Sequence, residues 1–294
     1  MSEKLHKALA NAGLGSRREM ETWITAGRVS VNGDVAELGL RVKKSDQIRV
    51  DGKPISIQQQ PPICRVLMYN KPEGELCARK DPKNRATVFD RLPKIGEGRW
   101  IAIGRLDINT SGLLLFTNDG ELANRLMHPK HQIEREYSVR VFGEVSKKTI
   151  KTLTSGVKLE DGMARFTRIK AGGGKDDSSN TWYKVKLAEG RNREVRRLWE
   201  SQDVQVSRLI RIGYGDVKLN KRLPRGGWIE LSLDDINPLR ASVNLPEETQ
   251  SLLKTGEQQL DHAQLTRIRR SVKKKRADAD NQKPKLKKPK FNKE

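Results

Sequence analysis

The segment Gly104-Arg105-Leu106-Asp107-Ile108-Asn109-Thr110-Ser111-Gly112 is the part of this chain best arranged for chemistry. It follows an apolar stretch, Trp100 to Ile103, and precedes Leu113-Leu114-Leu115-Phe116-Thr117. A short polar loop between two buried strands holds a side chain on rigid supports, as a reactive carboxylate such as Asp107 requires. Asp is also a favoured turn residue, so the spacing equally fits an Asp107 that only starts a turn. Two further segments carry groups able to work beside a carboxylate. Arg135-Glu136-Tyr137 opens an alternating run with Tyr137, Val139 and Val141 on one face, a pattern that by itself makes Tyr137 a core residue. In Glu189-Gly190-Arg191-Asn192-Arg193-Glu194-Val195-Arg196-Arg197-Leu198-Trp199, helical spacing puts Val195, Leu198 and Trp199 together. Arg196 borders that face and can reach inward to a buried carboxylate. Arg193 and Arg197 point away, as on any solvated basic helix face, where they remain available to phosphates.

The elements that must position these residues lie in residues 63–240. Strands are expected at 65–69, 100–103, 112–117, 136–142, 182–187, 206–212 and 228–233, and helices near 119–127, 146–155 and 192–201. Strands and helices do not alternate strictly. That favours an α+β fold with a mixed, largely antiparallel sheet over a doubly wound parallel one. Ahead of this domain, residues 1–55 read as a small module. Leu5, Ala8, Leu9 and Ala12 recur at helical spacing up to Gly13. Ser16 and Glu19 form a capping box that opens a second helix, and Asn32-Gly33 closes a hairpin after Val29 and Val31. Residues 56–62 end in two prolines and read as a linker.

The formal net charge of +22 predicts a polyanionic partner. Residues 241–294 form a basic C-terminal extension. From 263 to 294 the chain has 13 Lys or Arg against 3 Asp or Glu, two prolines and few large apolar residues, so disorder is expected there. No apolar run of 18 residues and no signal-peptide core is present, which points away from a membrane. Cys64 and Cys77, the only cysteines, read as reduced thiols of a cytoplasmic protein. No zinc spacing or phosphate-binding loop occurs, so neither metal nor cofactor is expected.

The run from Gly104 to Gly120 resembles the signature loop of the pseudouridine synthases of the RsuA-like branch. That resemblance implies an isomerase that flips a uridine out of structured RNA and needs no cofactor. It implies that Asp107 is the catalytic residue and that Arg105 makes a base-flipping or loop-ordering contact beside it. It also implies that Tyr137 lies under the target base and that Arg196 pairs with the aspartate. An arginine beside the carboxylate would favour its ionised form against burial. The first module resembles an S4 RNA-binding domain through Ser16-Arg17-Arg18-Glu19 and Ala26 to Gly33. Lys4, Lys7, Arg17, Arg18 and Arg28 would then contact phosphates, joined near the site by Arg105, Arg191, Arg193 and Arg197. Tyr69 to Cys77 and Gly226-Gly227-Trp228 point to members that modify the large-subunit (23S) ribosomal RNA, at a stem-loop near the peptidyl-transferase region. The expected partner is therefore 23S RNA or its precursor particle, met by a monomer. A non-catalytic S4-type RNA-binding or ribosome-assembly protein stays open as the alternative, as does a synthase for another ribosomal uridine. A DNA-binding regulator lacks a clear recognition helix.

Overall fold

A computed structural model describes residues 2–56, 62–96, 98–143, 145–172, 180–253 and 262–281. The linker expected at 56–62 falls largely outside the described residues. At the N-terminus, α1 (Leu5–Asn11) and α2 (Arg17–Thr25) pack with a four-stranded antiparallel sheet. The capping box is formed: Ser16 Oγ accepts from Glu19 N, and Glu19 Oε2 accepts from Ser16 N. Asn32 and Gly33 both have positive φ, 55° and 102°, as a two-residue hairpin turn between Val29–Val31 and Asp34–Val35 requires. Leu5, Leu9, Met20, Ile24, Val29 and Ile48 fill this module's own core.

The larger unit is built on a nine-stranded sheet. Its main path runs Arg168–Ala171, Asn180–Leu187, Arg135–Phe142, Val206–Tyr214, Ser111–Thr117, Val66–Lys71 and Trp228–Glu230. The Ile101–Ile103 strand pairs additionally with Ser111–Thr117. All pairings are antiparallel except that of Val206–Tyr214 with Ser111–Thr117, so the sheet is mixed and largely antiparallel, as expected. The continuous apolar run at 113–116 is explained by two-sided burial. Leu113 and Leu115 face α3 (Gly120–Met127) and α6 (Leu233–Ala241), while Leu114 and Phe116 face α4 (Lys147–Ser155) and α5 (Glu194–Glu200).

Two differences from the sequence reading have packing causes. The core does not stop at 240. Val243 is fully buried, Cys64 N donates to Glu248 Oε2, and Arg240 holds Asp119 at 2.9 Å. The expectation of disorder from about 263 also needs correction. His262–Asn281 is a helix, α7, because Leu265, Ile268 and Val272 lie at i, i+3 and i+7 and pack against the larger unit. Three apolar residues in an otherwise basic run are too few to show in composition. Their spacing is enough to seat a helix. Residues 282–294 lie outside the described residues. Cys64 is buried, and its thiol is pushed up to about 11, so it acts as a packing residue and a poor nucleophile.

Candidate active site

The Asp107 loop connects two paired strands, Ile101–Ile103 and Ser111–Thr117, and is held at nearly every residue. Leu106 N donates to Cys77 Sγ at 3.4 Å. Gly74 N donates to Ile108 O at 2.8 Å, and Thr110 N closes a turn on Asp107 O at 3.0 Å. Lys71, with no exposed surface, gives its ammonium to the carbonyls of Pro72, Asp107 and Thr110 at 3.1, 3.1 and 2.9 Å. Arg196 reaches the same loop from α5, donating Nη2 to Asn109 O at 3.0 Å and Nη1 to Val206 O at 2.9 Å. Immediately after the loop, Gly112 has φ +104°, and a Cβ there would sit 2.2 Å from Arg211 O. Only glycine permits this strand to approach its parallel neighbour so closely. The turn reading of Asp107 is realised, and the same loop leaves its side chain free of that turn.

The half-exposed Asp107 side chain opens onto a cleft of about 440 Å³. Tyr137 lies in its wall on the Arg135–Phe142 strand, 9% exposed, opposite Arg211 in the sheet register. Arg105, exposed, stands at the same cleft, with Arg135, Arg191, Arg193 and Arg211. Against these cations the lining has only two carboxylates, Asp107 and Glu194, so the cleft is electropositive and suits a phosphate-bearing substrate. Glu194 is buried, accepts from Arg191 N at 2.9 Å, and is pushed above the usual carboxylate range, chiefly by that burial. Among the described residues no three His, Cys, Asp or Glu side chains gather in a way that would hold a metal ion.

The α5 arginines divide as helical spacing predicts. Val195, Arg196, Leu198 and Trp199 are buried, while Arg193 and Arg197 are more exposed. The expected Arg196–Asp107 pairing takes an indirect form. The Arg196 guanidinium feels the Asp107 charge, yet Nη1 and Nη2 donate to carbonyls of the Val206 strand and of the loop rather than to the carboxylate. Arg191 and Arg197 converge on Asp161, with Arg197 bidentate at 3.0 and 2.7 Å, and so tie the 157–164 hairpin to α5. Arg193 contacts Glu200 at 3.2 Å. A Cβ on Gly190 would lie 3.1 Å from the Arg135 guanidinium carbon, so a larger residue there would shift that side chain by a few tenths of an ångström.

None of the S4-module cations lines the cleft. Lys4, Arg17 and Arg18 are exposed; Lys7 pairs loosely with Glu3 at 3.8 Å. Arg28 is bidentate to Asp51 and stacks 4.3 Å over Trp23, so it is committed within its own module. Sequence reasoning missed Lys71 and Arg211. Arg211 is 2% exposed, donates Nε to Leu113 O at 2.7 Å, and leaves Nη2 buried without a partner. A buried Lys before proline and an Arg inside an apolar strand were the available signals, since such charges are rarely buried without a task. Arg79 and Arg99 were missed too. With Arg17 they form a cationic group where the α1–α2 turn meets the larger unit, and a Cβ on Gly13 would lie 2.9 Å from Gly98 O. The Arg99 charge is disfavoured first by burial and then by Arg79 and Arg17.

A loop-borne aspartate in a basic cleft, on this mixed sheet behind a small basic module, defines an RNA-modifying enzyme of one class. The RNA pseudouridylate synthase model matches residues 65–201 and the S4 domain model residues 3–48. The chain belongs to the RNA pseudouridylate synthase family, in the RsuA-type form that carries an S4 domain. The ribosomal large subunit pseudouridine synthase B of Haemophilus influenzae is 63% identical over 254 residues, 85% of this chain and 71% of its own. That of Escherichia coli strain K12 is 59% identical over 276 residues, 93% of this chain and 94% of its own. A crystal structure of a pseudouridylate synthase superposes with a TM-score of 0.56 at 25% identity, over 80% of this chain and 99% of that one.

Proposed function

We propose that this chain isomerises a specific uridine of large-subunit (23S) ribosomal RNA to pseudouridine, with Asp107 as the essential carboxylate. The observation that carries the assignment of Asp107 is its loop, fixed by Lys71 and Arg196 while the carboxylate itself stays open to the cleft. The reaction breaks the C1′–N1 bond, rotates the uracil and joins C1′ to C5. One proton leaves C5 and one arrives at N1, so the sum is an isomerisation. A uridine stacked in RNA must be flipped out to reach such a cleft, and about 440 Å³ accommodates one base with part of its sugar. Tyr137 offers a ring for the uracil to stack on and a hydroxyl for proton movement at C5. Arg105 and Arg193, exposed beside the cleft, meet the flanking phosphates, and the S4 module with Lys4, Arg17 and Arg18 grips RNA farther off.

The test is Asp107→Asn, a nearly isosteric change. The variant is expected to fold and bind large-subunit RNA as the parent does while turnover drops at least ~10²-fold. Mapping pseudouridines in ribosomal RNA with and without the protein reads out the site. Substantial turnover by Asp107→Asn would remove the assignment.

A further inference from the structure

The C-terminal helix α7 does not belong to the cleft, and nothing in the reaction uses it. Its inner face is apolar and seated. Leu265 is 2% and Val272 7% exposed, and Ile268 packs with the core shared by α3 and α6. Two glycines form part of the surface that receives it. A Cβ on Gly227 would sit 2.8 Å from Ile268 Cγ2, and one on Gly226 would sit 3.6 Å from Val272 Cγ1 and 3.3 Å from Arg91 Nη1. Larger residues at 226 and 227 would push the helix away. Lys275 adds a polar latch by donating Nζ to Arg91 O at 3.1 Å. The outer face carries Arg267, Arg269, Arg270, Lys273 and Lys274, all exposed. No carboxylate pairs with any of these five among the described residues. The segment leading into Gly226 carries two more exposed cations, Lys221 and Arg222.

A helix that seats three apolar residues and holds five cations outward, none paired with a carboxylate among the described residues, is a fixed array of charge. Repulsion among like charges on consecutive turns opposes such a helix in isolation. Docking offsets that cost, and an incoming polyanion would relieve it. We propose that α7 is a docked phosphate-binding surface, seated on Gly226-Gly227 to present its Arg/Lys face to the sugar-phosphate backbone of a structured RNA segment outside the cleft. This deepens the reading of the chain as an RNA-acting enzyme and rests on it. A basic tail needs only its charge, whereas this surface needs its seat. A rigid cation array loses less freedom on binding than a flexible one, so it binds more tightly at equal charge.

The experiment uses the full chain and two probes, transcribed large-subunit ribosomal RNA and a short stem-loop containing the target uridine. One variant replaces Arg267, Arg269, Arg270, Lys273 and Lys274 by Gln. A second, Ile268→Ser, leaves every charge in place but loosens the seat, and Gly227→Val attacks the seat from the other side. With the long RNA, the five-Gln variant should flatten the plot of log affinity against log salt by roughly 2 to 4, at about 0.7 to 0.9 per phosphate. Ile268→Ser and Gly227→Val should each weaken affinity for the long RNA several-fold at unchanged net charge. Pseudouridine formation on the short stem-loop should match the parent in the five-Gln and Ile268→Ser variants, which separates failure of this proposal from failure of the catalytic assignment. An unchanged salt slope in the five-Gln variant overturns the phosphate surface. A flattened slope there with parental affinity in Ile268→Ser overturns the docked geometry and leaves a plain electrostatic tail. Unchanged RNA binding together with lost binding to polyglutamate would assign the face to an acidic protein instead, and would also overturn the proposal.

Discussion

Two arginine-rich helices in this protein make opposite use of the same residue type. Around α5, Arg196 is spent on the carbonyls of Asn109 and Val206 and Arg191 and Arg197 on Asp161, and Arg193 alone stays at the surface, in an exposed pair with Glu200. On α7, the five outward cations have no carboxylate among the described residues, and only Lys275, at the inner edge, is latched to backbone. The sequence around both helices is basic, and charge counting treats them alike. The difference lies in what the fold puts opposite each helix. At α5 it supplies acceptors, so the arginines there hold the Asp107 loop and the 157–164 hairpin in place. At α7 it supplies an apolar seat, so the charge is left for a ligand.

The sharpest way to break this comparison is Arg196→Ala. Losing its bonds leaves two carbonyls without donors and frees the Asp107 loop, and misplacement by about 1 Å costs on the order of 10²-fold in rate. The expected result is a fall in kcat of that size with little change in RNA affinity, and partial rescue by Arg196→Lys. Parental kcat in Arg196→Ala would show that Lys71 alone fixes the loop. Next in size is the loss of salt dependence on removing the α7 charges, already set out.

Smaller effects sharpen the picture. Arg197→Ala removes one clamp on Asp161, whose carboxyl lies below its usual range chiefly through the Arg197 hydrogen bond. Arg191 still reaches Asp161, so turnover should stay within about threefold of the parent. A larger loss, measured on the short stem-loop, would place Arg197 in the catalytic machinery. The smallest effect concerns pH. Burial raises Glu194 above the usual carboxylate range, so the folded state prefers it protonated. Its ionisation therefore costs stability at neutral pH, and that cost disappears as pH falls through the folded pKa toward the unfolded value. Glu194→Gln keeps an acceptor for Arg191 N. It should raise Tm by about 2 °C or less at neutral pH, with the difference fading in acid. A difference that grows in acid would reverse the sign of the argument.

Much of the architecture was legible because it follows from local rules. The capping box at Ser16, the positive-φ turn at Asn32-Gly33 and the two-sided apolar run at 113–116 each depend on residues close in sequence. Asp107 was legible for the same reason, as a polar loop between apolar strands together with a long signature run. The inward bias of Arg196 followed from helical spacing alone. The extra strand at Arg168–Ala171 and helix α6 after 232 were not legible, since neither has strong periodicity and both form against partners distant in the chain.

The sequence by itself determined the elements, the loop that carries the carboxylate and the overall pull toward a polyanion. These depend on the spacing of apolar and capping residues and on net charge, which are local or summed quantities. Only the tertiary structure decided where each charge is spent. Lys71 is 39 residues from Thr110, Arg196 is 87 residues from Asn109, and Lys275 is 184 residues from Arg91. A buried cation must find acceptors or the fold loses stability, and those acceptors come from whichever strands the sheet order brings alongside. The fate of α7 was decided in the same way, by two glycines more than thirty residues upstream that leave room for three apolar side chains.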